Sequence, residues 1–151
     1  RLADLTPQGV EKKAILFFAL MNVLGITQAA IDNRYHLGFN DEEKAEFLSE
    51  MRQMLTSIQQ ITLGIGTGNK AMVIKAARYS GNRMARATPQ SIKDKTPVSF
   101  EKIGGPTHMM FEELAINAAE VDDADDMKDL AEFTAKLMLN CLACHEAFTV
   151  N

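Results

Sequence analysis

The chain has 151 residues, 46% hydrophobic and 24% charged, one domain's worth of sequence with enough apolar side chains for a core without disulfide staples. Its 16 basic and 20 acidic residues give a net charge of −4, which excludes a generally basic nucleic-acid-binding surface; the apolar fraction excludes a disordered acidic tail. Eight Phe, nine Met, no Trp and only 4 Pro, with few β-branched runs, predict an all-α fold.

The first feature in chain order is a run over residues 12–30. Lys12 and Lys13 precede an apolar stretch from Ala14 to Ile26, interrupted by Asn22 and Gly25, and Thr27, Ala29 and Ala30 follow as small residues. This is the order of a secretory signal peptide, and the stretch is short for a transmembrane helix. Residues 1–29 are therefore read as an export segment, leaving 122 residues over 30–151. An extra N-terminal helix is the other reading, because Leu16, Leu20, Val23 and Leu24 also form a helical stripe.

Four helices are predicted after residue 40, packed antiparallel through short joints. Asn40 with Glu43 is a capping box; Phe47, Leu48, Met51, Met54, Leu55, Ile58, Ile61 and Leu63 then recur at helical spacing up to Gly64. Gly64, Gly66 and Gly68 make a turn, too far from a phosphate-loop pattern to be read as one. Asn69 caps a second helix reaching about Arg86, with Val73, Ala76, Ala77, Tyr79, Ser80 and Met84 inside. Residues 88–98 read as a loop. Ser99 opens a third helix, which Gly104, Gly105 and Pro106 are expected to kink or restart, with Met109, Met110, Phe111, Leu114, Ala115 and Ala118 as its stripe. Asp122, Asp123, Asp125 and Asp126 suit the positive end of the fourth helix, whose inner face carries Leu130, Phe133, Leu137, Cys141, Cys144 and Phe148. No strand pattern competes.

Cys141-Leu142-Ala143-Cys144-His145 is C-x-x-C-H, the attachment sequence for c-type haem. Two thiols bond to the two vinyl-derived carbons along one porphyrin edge, and the adjacent imidazole reaches the iron. On a helix, positions 141, 144 and 145 share one face. A zinc site would need about four ligands, and the remaining His36 and His108 have no zinc-like spacing. A thioredoxin-type dithiol would sit at a helix N-terminus, whereas this pair lies near a C-terminus. Structural cysteines in a haem-free helical interaction protein remain as a further reading.

With this motif at the C-terminal end of a last helix, residues 41–151 resemble the cytochrome c-prime group of four-helix c-type cytochromes. Met51-Arg52-Gln53 is similar to that family's aromatic-Arg-Gln segment, which implies a haem propionate near Arg52. The family usually has a basic residue where Thr149 stands, so proximal-pocket electrostatics do not carry over. The resemblance implies one covalent haem c, His145 as proximal iron ligand, a periplasmic location, redox partner proteins and a homodimer through exposed helix faces. The sixth iron position decides between two functions. A Met ligand favours electron transfer, with Met51 ahead of Met54 by its facing; an open position implies binding of small gases such as nitric oxide or carbon monoxide. His108, and less so His36, is a further imidazole within the chain. No acid–base or nucleophile constellation appears, so substrate turnover is not expected.

Overall fold

The computed structural model describes residues 32–122 and 124–150; the expected export segment or extra helix over 1–29 lies outside them. Arg34–Asn151 forms one compact unit. It is an all-α helical bundle whose long helices are α1 (Asp41–Gly66), α2 (Lys70–Ser80), α5 (Val98–Glu120) and α6 (Ala124–Ala147). Short helices α3 (Asn82–Ala87) and α4 (Gln90–Lys93) lie between α2 and α5. Among the described residues no helix is long and apolar enough to cross a membrane.

The local chemistry explains where the helices begin and turn. The Asn40 side chain accepts from the Glu43 N–H, and the Glu43 carboxylate accepts from the Asn40 N–H, both at 2.9 Å, so two end donors of α1 are satisfied reciprocally. After α1 the chain reverses at Gly68, whose φ of +67° is a left-handed conformation glycine adopts without strain. Asn69 then caps α2 by accepting from Met72 N–H. The reversal puts Gly64 against Val73 and Ser57 against Ser80, so α1 and α2 are antiparallel. The Lys70 ammonium donates to the Val121 carbonyl, and His108 meets the Ser80 carbonyl, so α5 is antiparallel to α2. Asn140 lies beside Met110, and α6 closes the ring against α1.

Several boundaries differ from the sequence expectation. The second helix stops at Ser80 and restarts at Asn82, because Gly81 has φ −77° and ψ −147°, outside the helical region. The stretch expected to be a loop holds the one-turn helix α4, and its Ile92 is buried. The third helix begins at Val98, after Pro97, and continues through Pro106 without restarting. Pro106 lacks the N–H that would bond the Lys102 carbonyl, and next to it Thr107 donates its hydroxyl to the Ile103 carbonyl at 2.7 Å.

Phe148 does not belong to the last helix. It lies in β2 (Phe148–Thr149), which pairs in parallel with β1 (Tyr35–His36), Tyr35 opposite Phe148 and His36 opposite Thr149. A two-residue strand is too short to leave a period-two pattern, which is why no strand was anticipated. Some stripe residues face outward instead: Met109 is 65% exposed, and Leu63 and Tyr79 are also exposed. The buried seam of α1 runs through Phe47, Glu50, Ser57, Ile61 and Gly64, so small and polar residues occupy places that apolar ones were expected to fill.

Two hydrophobic clusters result. The larger one joins Ile61, Val73, Phe111, Leu114, Leu130 and Leu137, with Met54, Ile58, Phe133 and Cys141 packed on it. The smaller one joins Leu37, Phe47, Ile92 and Phe148, with Met51, Phe100 and Cys144 packed on it.

Candidate haem site

A cavity of about 930 Å³ lies in this unit, walled by α1, the α3–α4 region, α5 and α6. Its size is within the roughly 300–1,000 Å³ of ligand pockets. From α6, Cys141, Cys144 and His145 all line it, as expected for positions on one helical face. The thiols stand on either side of the division between the clusters, Cys141 against the larger and Cys144 against the smaller. Both cysteines are free and half-buried, while His145 is exposed. Arg34 donates from its guanidinium to the His145 carbonyl at 3.2 Å, satisfying a carbonyl at the end of α6 and tying the motif to the segment that forms β1.

The opposite walls are mostly apolar. Helix α1 contributes Phe47, Leu48, Met51, Met54, Leu55 and Ile58, and α5 contributes Phe100, Ile103, His108 and Phe111. Phe47 and Phe100 have ring centroids 5.9 Å apart, and Phe100 meets Phe148 edge-on at 5.3 Å, so the aromatic wall is continuous with β2. Two cationic side chains, Arg52 and Lys93, also line the cavity.

The electrostatics separate the chemical readings of the cysteine pair. Burial pushes the Cys141 thiol up from its ordinary value, and burial together with the neighbouring Cys141 pushes Cys144 up. A raised thiol pKa is the opposite of the depressed-pKa nucleophile of a dithiol oxidoreductase. Among the described residues no three His, Cys, Asp or Glu side chains are grouped to hold a metal ion. A thiol that adds to a vinyl group inside an apolar cavity has no such requirement for a chelating cluster. The donor set fits covalent haem: two thiols and an imidazole on one wall, apolar faces opposite, and cations for the propionates.

The residues singled out by sequence are distributed unevenly. Met51, Arg52, Met54 and His108 reach the cavity. Gln53 instead accepts a hydrogen bond from Tyr79 at 2.9 Å. His36 is exposed in β1 and its Nδ1 accepts from the Gly38 N–H; it is not in the cavity wall. Asp122 and Asp126 flank the start of α6, the Asp126 carboxylate accepting from the Asp122 N–H; Asp123 and the Asp125 side chain lie outside the described residues. Two wall residues escaped the sequence reading. Lys93 was assigned to a loop. Glu50, 8% exposed, accepts a hydrogen bond from the Thr88 hydroxyl at 3.3 Å, and burial pushes its carboxyl up. The available signal for Glu50 was its spacing, three residues beyond Phe47 and four before Met54. Comparison with family models, with characterised proteins and with solved structures finds no match for the chain.

Proposed function

We propose that the chain is a periplasmic monohaem c-type cytochrome that passes single electrons between redox partner proteins. The observation that carries this reading is the convergence of Cys141, Cys144 and His145 on one apolar-walled cavity of about 930 Å³. Each thiol would add across a vinyl double bond, the sulfur bonding to one carbon and the thiol hydrogen going to the other, with no oxidant or reductant consumed. Haem held this way would supply a one-electron couple. His145 would hold the iron from the α6 side, and Arg52 and Lys93 would neutralise the propionates. Phe47, Ile58 and Phe111 exclude water, which lowers the local dielectric and tunes the potential.

Electron transfer is favoured over gas binding because the walls away from the motif carry further groups able to coordinate iron, Met51, Met54 and His108. A six-coordinate iron suits electron transfer, whereas gas binding needs an open position. The test is expression with a haem-maturation system. The expected product is coloured, with one haem retained after denaturation, and the Cys141→Ala/Cys144→Ala double variant retains none. A colourless, folded product with two free thiols would overturn the reading. Rapid and complete carbon monoxide binding by the ferrous protein would replace the electron carrier with the gas-binding alternative.

A further inference from the structure

The geometry points to His108 as the second axial ligand of the haem iron, an inference that rests on the haem reading above. The His108 ring is half-buried in the α5 wall of the cavity that also holds Cys141, Cys144 and His145. Its Nδ1 lies 2.7 Å from the Ser80 carbonyl oxygen. A carbonyl only accepts, so Nδ1 carries the hydrogen, and in the neutral imidazole Nε2 keeps its lone pair. Among the described residues Nε2 has no hydrogen-bond partner. This is the arrangement of a metal-ligating histidine, which donates its other N–H to a carbonyl or carboxylate and so fixes its tautomer and ring orientation.

The anchor is rigid. Ser80 is fully buried and its hydroxyl donates to Ser57 Oγ at 2.8 Å, so the carbonyl that orients the imidazole sits where α1, α2 and α5 meet. One turn before His108 on the same face are Gly104 and Gly105, which line the cavity without side chains. An added Cβ at Gly105 would meet nothing within 4 Å. That wall therefore carries no side chain at these two positions beside the imidazole, which leaves room for the approach of a planar macrocycle. The two methionines have other work, since Met51 packs on the smaller hydrophobic cluster and Met54 on the larger.

The experiment uses the haem-loaded chain and compares it with His108→Asn, Met51→Leu and Met54→Leu. Asparagine keeps an N–H at the position of Nδ1, so the bond to Ser80 survives while the iron-directed nitrogen is lost. Electron paramagnetic resonance and near-infrared magnetic circular dichroism report the axial pair. The expected wild-type signature is low-spin with two imidazoles. In His108→Asn it becomes high-spin, carbon monoxide binds more tightly by about tenfold if roughly one molecule in ten has its ligand detached in the wild type, and added imidazole restores the low-spin signature. The two Met→Leu variants keep the wild-type signature. An unchanged signature in His108→Asn with haem attached, or a methionine signature that either Met→Leu variant abolishes, overturns the proposal alone. Absence of covalent haem from the wild-type chain overturns the reading beneath it, and the ligand assignment with it.

Discussion

A carboxyl group in an apolar wall is costly unless it is protonated or well paired, and Glu50 meets that cost by favouring the protonated form. Its main perturbation is burial, partly opposed by the hydrogen bond from Thr88 and by Lys93. The folded state therefore holds a proton at pH values where the unfolded chain has released it. Where the folded state binds more protons, stability falls as pH rises, so Glu50 costs stability progressively above the ordinary carboxylate pKa, and the full cost is present above its raised folded-state pKa. Glu50→Gln keeps an acceptor for Thr88 and removes the charge. The variant is expected to have a higher thermal midpoint than the wild type at pH 7, with the difference shrinking as the pH is lowered into the carboxylate range. A difference that is constant with pH would mean that the gain comes from packing. The thiols of Cys141 and Cys144 obey the same rule, since burial favours their neutral form.

At the scale of elements, the α1–α2 junction depends on what its seam leaves out. Gly64 is buried where α1 crosses α2, and a Cβ there would lie 2.7 Å from Val73 Cγ2 and 3.1 Å from the Asn69 carbonyl oxygen. Gly64→Ala gains about 1 kcal/mol of helix propensity but forces apart a close-packed contact, and overpacking costs about 1–3 kcal/mol. The expected outcome is a net loss of stability in denaturant titration that disappears when Val73→Ala makes room, since contacting residues are coupled. This seam also shows what was readable from sequence and what was not. The capping box at Asn40 and Glu43, the turn at Gly68 and the Phe111–Ala118 stripe follow from local chemistry, and the structure has each of them. Leu63 and Tyr79 fit an apolar periodicity just as well yet face outward, because the buried positions of α1 and α2 include Ser57, Gly64, Ala77 and Ser80, residues whose smallness hides them from a search for apolar period. At the site, spacing alone placed Cys141, Cys144 and His145 on one face. The bond from His108 to Ser80 joins residues 28 apart in sequence and could only be seen once the helices were packed.

The unit from Arg34 onward is held by two hydrophobic clusters with α6 contributing to both, and the chain segments flanking the bundle seal the smaller one. Leu37, just after β1, and Phe148 in β2 are both buried in it, the strands pair in register, and the Leu37 N–H donates to the Thr149 carbonyl at 3.0 Å. Tyr35 stacks edge-on against Phe148 at 6.1 Å between ring centroids. The pairing thus joins the segment that leads into α1 with the segment that leaves α6, and it does so beside Cys144. Phe148→Ala removes the ring that links β2 to Phe100 and the cavity wall. A buried Phe→Ala change costs about 3–5 kcal/mol, a large share of the roughly 5–15 kcal/mol that holds a domain folded. The denaturant midpoint is expected to drop accordingly. Hydrogen exchange should accelerate first at Leu37 and at the end of α6, while the Val73 and Leu114 amides in the larger cluster stay protected up to global unfolding. A loss below about 1 kcal/mol, within the range of surface and minor substitutions, with exchange unchanged at the end of α6, would mean that the strand pair merely rests on the bundle. The larger loss would make it the clasp that fixes the motif end of α6 against the smaller core, so that the proximal side of the site is built by residues nearly the whole described chain apart.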